Sequence, residues 1–401
     1  MKVVIIGSGP TAVTVAKELR RLGYKDKIVV LSKEFFPPYS PPLMLDYLKS
    51  KGESDLIFWK GRNFFKELDI CYLYNSPVIS IDPKEQRVFT PVSKIEYDYL
   101  VIATGAELWS PITFECKKID LIPYYDFKSL TSVNSLLEHI YKNRDVKKAL
   151  IIGGGFIGIE VATTLNQLGL NVILVEKQSH LLPQMLSPKV SSFIEKKLIE
   201  KGVKIFLNST AIAIRENNLS FELILEDGST IDADVFIAAT GIKPNISFLN
   251  GSGINIGSGI VVDEYLRTNI ANIFAGGDVV ETPNLISKNV YPHATFREAI
   301  KHGTIIASNI LGYNIKNRGD VKVNSLYHFG IPLVAGGVQP DELKADDEIF
   351  YLRNGNYKHV LLKNKKIIRF EFWGDIRGCG LITNYMEQQR DFDVFLYKAI
   401  R

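Results

Sequence analysis

The chain has 401 residues, 46% hydrophobic and 23% charged, which is material for two or three packed domains and excludes a disordered chain. A formal net charge of +4 at this length, with no arginine- or lysine-rich tract, excludes nucleic acid as an expected partner. The three cysteines, Cys71, Cys116 and Cys379, form no C-x-x-C pair and stand at no metal-ligand spacing with histidine, so single buried or partly buried thiols and no metal site are expected.

Met1-Lys2 leads directly into Val3-Val4-Ile5-Ile6, which reads as a first β-strand rather than a secretory leader. No apolar run approaches the roughly 18 residues of a membrane helix, so a cytoplasmic protein without a membrane span is expected. The turn Gly7-Ser8-Gly9-Pro10-Thr11-Ala12 follows, then a helical stretch ending at Leu22-Gly23, a second apolar strand and Glu34. The same pattern returns from Lys148: an apolar strand, Gly153-Gly154-Gly155-Phe156-Ile157-Gly158, a helix ending at Leu168-Gly169, the strand Asn171–Val175 and Glu176. A βαβ unit is written twice.

In G-x-G-x-x-G/A the first glycine permits a tight strand-to-helix turn and the second lets backbone approach a pyrophosphate. The third small residue lets helix pack on sheet. Gly7, Gly9 and Ala12 fill these places in the first copy, and Gly153, Gly155 and Gly158 in the second. The helix N-terminus offers free N–H groups to phosphate, and an acidic residue after the next strand can accept ribose hydroxyls. A second duplication supports the first. Tyr99–Gly105 and Asp234–Gly241 are both strands ending in Ala-Thr-Gly, and Asn272–Asp278 is a strand that delivers a carboxylate after two glycines.

With these motifs in this order the chain resembles, over essentially its whole length, the FAD-dependent pyridine nucleotide oxidoreductases: rubredoxin and ferredoxin reductases, the flavin portion of NADH-dependent nitrite reductase, and NADH oxidases. The resemblance implies an α/β fold of two Rossmann-like dinucleotide-binding domains plus a C-terminal α+β domain. The FAD domain is expected to be discontinuous, residues 1–112 and 239–318. The NAD(H) domain is inserted as 113–238, with 319–401 as the C-terminal domain. FAD is assigned to Gly7, Gly9, Pro10, Ala12, Val78, Thr104, Gly105 and Thr295, with Glu34 or its neighbourhood on the adenosine ribose and Asp278 on the ribitol chain. NADH is assigned to Gly153, Gly155, Phe156, Ile157, Gly158, Glu176 and Gly241, and Glu160 is the catalytic candidate near the nicotinamide.

Residues 212–237 alternate in β fashion, with Leu219–Leu225 as a strand and Asp227-Gly228 as a hairpin turn, as expected of a small meander in each nucleotide domain. Beyond residue 318 the strands Glu348–Arg353, Lys358–Lys363 and Ile367–Trp373 precede a helix around Gly380 to Arg390. The resemblance makes this a domain that lies over the flavin and contributes to homodimer contacts. The run Lys363-Asn-Lys-Lys-Ile-Ile-Arg369 is either a solvated turn or a docking patch for an acidic electron carrier.

Reduction places negative charge at the N1–C2=O edge of a flavin, and a helix N-terminus can meet it. The stretch Pro292–Gly303, with Pro292 at the first helical position, is the expected helix, and His293 is a candidate contact. Two departures from the resemblance stand out. Pro41 replaces the arginine of Pro-Tyr-x-Arg-Pro-Pro-Leu-Ser-Lys, and its lysine is absent from Pro38–Leu45. No cysteine lies between Met1 and Ile70, so thiol chemistry at the flavin is not expected. The leading expectation is hydride transfer from NADH to FAD and onward to rubredoxin, ferredoxin or a partner subunit. An NADH oxidase or quinone reductase stands as an alternative, as does a redox-responsive binding protein like apoptosis-inducing factor.

Overall fold

The computed structural model describes residues 1–58, 60–116, 118, 122–142, 146–217, 220–328, 330–340 and 342–400. Leu219, part of the expected meander, and Arg401 lie outside them.

Two five-stranded parallel sheets carry the architecture. In the first, the strands run Ile273–Ala275, Tyr99–Ile102, Val3–Ile6, Ile28–Leu31, Cys71–Leu73. In the second, they run Tyr124–Asp126, Val235–Ala238, Lys148–Ile152, Asn171–Val175, Lys204–Phe206. The order is the same, and each glycine-motif strand is the central one. Helices cover one face and an antiparallel meander the other, so central strands read as unbroken apolar runs: all four residues of Val3–Ile6 are buried, and so are all four of Ile28–Leu31.

An antiparallel meander accompanies each sheet. Ser80–Asp82, Arg87–Phe89 and Lys94–Glu96 form one; Ala211–Asn217, Ser220–Leu225 and Thr230–Ala233 form the other, extended by Thr113–Glu115. On the first sheet the helices Pro10–Arg21 and Phe296–Ile310 lie in intimate contact. A Cβ on Gly303 would come within 2.6 Å of Thr14 Cβ and 2.8 Å of the Thr11 carbonyl, so only glycine permits the approach.

The C-terminal sheet is antiparallel, in the order Val323–His328, Ile331–Gly337, Lys366–Trp373, Asn356–Lys363, Asp347–Arg353. Helix Cys379–Glu387 packs Ile382, Tyr385 and Met386 against Phe370 and Phe372 on one face. Leu333, Tyr357 and Trp373 join the core of Met185, Leu186, Val190 and Ile194. The basic run therefore splits. Lys363–Lys366 is a hairpin turn with Asn364 and Lys365 at positive φ, whereas Arg369 is buried. Arg369 pairs with Glu371 at 2.6 Å and donates to the Met185 carbonyl, while Glu371 accepts the Ser187 N–H and hydroxyl. Arg369 is thus no part of a surface docking patch.

No helix among the described residues is long and apolar enough to cross a membrane.

Candidate functional site

The two glycine turns are near copies in space. Gly7 has φ 111° and Gly153 has φ 110°, and a Cβ on either would lie 2.2 or 2.3 Å from a carbonyl oxygen, that of Ala103 or Ala239. Those carbonyls belong to the two Ala-Thr-Gly segments, so the duplicated motifs are two halves of one packing contact. The third positions differ. Ala12 is buried with its methyl accommodated, while a Cβ on Gly158 would lie 1.9 Å from the Gly153 carbonyl.

Gly9 and Gly155 are the N-caps of the helices Pro10–Arg21 and Phe156–Gln167. Their φ is −75° in both, their ψ −174° and −175°, and neither cap bears a side-chain acceptor. A Cβ on either would meet nothing within 4 Å. Each turn thus presents first-turn N–H groups to open space at the carboxyl end of a parallel sheet, the geometry that suits a pyrophosphate. Pro10 takes the first helical position, where the missing N–H costs nothing. In the second helix Phe156 is half-buried and Ile157 exposed at the first turn, and Glu160 lies half-buried one turn on.

The strand ends correct one equivalence. Gly7 N–H donates to Leu31 O and Gly153 N–H to Val175 O, so the residues at matching positions are Ser32 and Glu176. Glu34 stands two residues further along. The turn at residues 23–27 is two residues longer than that at 169–171, and aligning strands rather than acidic residues reveals the offset. Ser32 Oγ accepts the Ser8 hydroxyl at 3.0 Å and the Glu34 N–H at 3.2 Å. The buried Glu176 carboxylate accepts Gly154 N–H at 2.6 Å on one oxygen and Gln178 N–H at 2.8 Å on the other.

Glu34 accepts the Tyr39 hydroxyl at 2.6 Å and both the N–H and hydroxyl of Thr131. The Leu130 N–H donates to the Tyr39 hydroxyl at 3.2 Å. Burial, then the neighbouring Glu34 charge, holds the Tyr39 phenol well above its ordinary pKa, so it stays a donor. Glu34 and Tyr39 together cap the helix Leu130–Lys142 from another segment of the chain.

The two Ala-Thr-Gly segments are laced to each other. Thr104 Oγ1 donates to Asn245 O at 2.8 Å and Asn245 N–H returns to Gly105 O; Thr240 Oγ1 donates to Trp109 O at 2.5 Å and Trp109 N–H returns to Gly241 O. Strands Ala106–Leu108 and Ile242–Pro244 pair antiparallel between them. Thr104, Gly105 and Gly241 therefore sit at a two-strand crossover joining the sheets.

Asp278 follows Ile273–Ala275 at the carboxyl end of the first sheet. Gly277, at φ 84°, passes so close to Thr11 that a Cβ would lie 2.5 Å from its hydroxyl. Asp278 is half-buried, and its carboxylate pairs with Lys128 Nζ at 3.5 Å. No motif marks Lys128 in the sequence; it stands just before the helix Leu130–Lys142.

The expected helix begins later than Pro292. Its first residue is Phe296, because Ala294 turns through φ 54° and Thr295 caps the helix, accepting the Glu298 N–H at 3.2 Å. The stretch Thr-x-x-Glu outranks proline as the start signal here. His293 is buried inside the protein, its Nε2 3.1 Å from the Thr282 carbonyl and its ring stacked on Tyr291. Val78 is half-buried against the core beneath the first sheet. In the departing segment, Pro41–Leu43 forms a 3-10 turn and Met44 and Leu48 enter the core.

Of the cysteines, Cys116 and Cys379 are half-buried, but Cys71 is exposed. It opens the edge strand Cys71–Leu73, where alternate side chains face outward.

Residues 1–294 match the pyridine nucleotide-disulphide oxidoreductase family. The chain is 32% identical over 351 residues to an NADH oxidase of Methanocaldococcus jannaschii, covering 84% of this chain and 77% of that one. It is 29% identical to a rubredoxin-NAD(+) reductase of Pseudomonas putida, covering 78% of this chain and 80% of the relative. It is 26% identical to the assimilatory nitrate reductase electron transfer subunit of Bacillus subtilis, over 98% of this chain but only 50% of that protein. Among solved structures, the NAD-dependent persulfide reductase from A. fulgidus superposes with a TM-score of 0.88 at 26% identity, covering 98% of this chain and 77% of that one. The chain belongs to the pyridine nucleotide-disulphide oxidoreductase family and is an FAD-dependent NAD(P)H oxidoreductase.

Proposed function

We propose that the protein takes hydride from NADH and passes the electrons to a small electron-carrier protein or a partner subunit. The observation that carries this reading is the pair of matching glycine turns, each open where a dinucleotide pyrophosphate fits, on two sheets joined by a reciprocal crossover. In it Gly7, Gly9, Pro10 and Ala12 hold the FAD pyrophosphate, with Ser32, Glu34, Val78, Thr104, Gly105, Asp278 and Thr295 around the rest of that cofactor. Gly153, Gly155, Phe156, Ile157, Gly158, Glu176 and Gly241 hold NADH, and Glu160 lies toward the nicotinamide. When bound, FAD supplies a hydride acceptor that can give up electrons one at a time. The protein needs no nucleophile or general base. Its backbone amides fix and orient both cofactors.

A carrier as acceptor is supported by the rubredoxin reductases among the relatives and by the absence of cysteine from the first 70 residues. The exposed Cys71 lies on the edge strand, not in a glycine turn. The experiment is anaerobic bleaching of the bound flavin by NADH, followed by mixing with rubredoxin, ferredoxin, a soluble quinone or dioxygen. Reoxidation by a carrier protein at least tenfold faster than by dioxygen or quinone is expected. Fastest reoxidation by dioxygen makes the protein an oxidase. A long-lived reduced complex with every acceptor makes it a redox-responsive binding protein.

A further inference from the structure

Glu298 is the third residue of the helix Phe296–Ile310 and is 4% exposed. Its Oε1 accepts the Thr282 hydroxyl at 2.8 Å and lies 3.5 Å from His302 Nε2, one turn further on. His302 Nδ1 accepts the Gly277 N–H at 3.1 Å, so the neutral ring carries its proton on Nε2, which lies between the Asn317 side-chain amide at 3.2 Å and Glu298 at 3.5 Å. A buried polar chain thus runs from the peptide beside Asp278 through His302 to Glu298 and Thr282. It is packed directly on the first glycine turn, because Thr11 Oγ1 donates to Ala299 O and Gly277 abuts Thr11.

We propose that Glu298 takes up a proton when the flavin held by this turn is reduced and gives it back when the electrons leave. The inference rests on the flavin assignment above. The balance is simple: NADH delivers two electrons and one proton as hydride, leaving one negative charge on the flavin. One solvent proton then bonds to a Glu298 carboxylate oxygen, and no other bond changes. When the carrier removes the two electrons, the proton that came with the hydride leaves the flavin, the Glu298 O–H bond breaks, and both protons return to solvent.

The surroundings favour a carboxyl that changes state. His302 and Lys301 face it from its own helix, Asp278 from the preceding loop, Tyr291 from the strand Val290–Tyr291, and Asp320 and Lys322 from the segments packed against the helix, while His293 lies by His302 and Glu342 by Lys322. Burial pushes Glu298 up to about 7, against the Thr282 hydrogen bond; Asp320 and Asp278 add to the rise, and Lys301 opposes it. His302, held down to about 3 by burial, is neutral and forms no ion pair with it. A new negative charge nearby raises proton affinity further. Uptake therefore occurs above about pH 7, whereas at lower pH Glu298 already carries its proton in both redox states.

The test is infrared difference spectroscopy of the FAD-loaded full chain, reduced at an electrode without NADH. At about pH 8 the wild type should gain a protonated-carboxyl band on reduction, and Glu298→Gln should lack it. The flavin potential should fall more steeply with pH in the wild type than in the variant above neutrality, and equally below it. No such band in the wild type, or identical slopes in both proteins, overturns the proposal. If the variant does not fold, the wild-type band decides alone. FAD that is retained but not bleached by NADH counts against the proposed function and leaves this measurement standing; a chain that retains no FAD overturns both.

Discussion

The Lys128 ammonium lies 3.5 Å from the Asp278 carboxylate, tying the segment before the helix Leu130–Lys142 to the loop after Gly276-Gly277. Both side chains are partly exposed, so the pair alone contributes less than about 1 kcal/mol to stability. With Asp278 in the proposed flavin site, Lys128 is expected to serve as a cation for the cofactor phosphates. Lys128→Met should leave apoprotein stability nearly unchanged while weakening FAD binding about tenfold, near 1.4 kcal/mol. Titration of apoprotein with FAD by fluorescence decides. Affinity within a factor of about two of wild type removes Lys128 from the flavin site.

Gly9 and Gly7 should respond differently to a side chain. Gly9 is extended and has open space around it, so Gly9→Val should yield a folded apoprotein that no longer retains FAD. At Gly7 a Cβ would collide with the Ala103 carbonyl at a φ of 111°, and Gly7→Ala should cost about 3 kcal/mol or more. Circular dichroism separates the two effects, and a fully flavinylated Gly9→Val overturns the assignment of this turn.

The two βαβ units and the duplicated Ala-Thr-Gly strands were legible because each rests on short-range rules. Strand periodicity, glycine turns and a duplicated Ala-Thr-Gly leave local marks. What stayed hidden depends on register and long-range contact. Ser32 takes the position matching Glu176 only because the first copy's helix-to-strand turn is two residues longer. Lys128 meets Asp278 across 150 residues of chain, and nothing near either announces it. The helix start moved from Pro292 to Phe296 because the Thr295 side-chain cap overruled a proline. Arg369, which read as part of a basic surface run, is buried because its strand lies in the middle of a sheet.

The Tyr39 hydroxyl links Glu34 to the N-terminus of the helix Leu130–Lys142. Tyr39→Phe removes a buried donor to a carboxylate and leaves the Leu130 N–H without this acceptor, a loss of about 1–3 kcal/mol. Amide hydrogen exchange should speed up first at residues 130–133. Unchanged protection there means the helix is held by packing alone.

Thiols should be dispensable. Cys71 is exposed, so Cys71→Ser should fall within about 0.5 kcal/mol of wild type, and the half-buried Cys116 and Cys379 should cost about 1 kcal/mol each. NADH-to-dye turnover per bound flavin should persist in the triple serine variant. A folded, FAD-loaded variant whose flavin NADH no longer reduces would overturn the proposed cysteine-free route.

In the proposed site coenzyme choice is expected to rest on Glu176, whose two oxygens are fixed by the Gly154 and Gln178 amides. Held this way, the carboxylate is presented as an acceptor for ribose hydroxyls and would meet the 2′-phosphate of NADPH with like charge. Lys177 is exposed and offsets little of that repulsion. The expected preference for NADH in kcat/KM is about tenfold or more, since about 1.4 kcal/mol of differential binding is a factor of ten. Glu176→Ala should narrow the ratio by weakening NADH and relieving NADPH. The variant also strips two amides of their acceptor, at about 1–3 kcal/mol of stability, so its kinetics must be read below its own melting transition. The measurement is kcat/KM for both coenzymes with one artificial acceptor at fixed ionic strength. Equal use of both coenzymes by the wild type, or an unchanged ratio in the variant, would take Glu176 out of coenzyme selection.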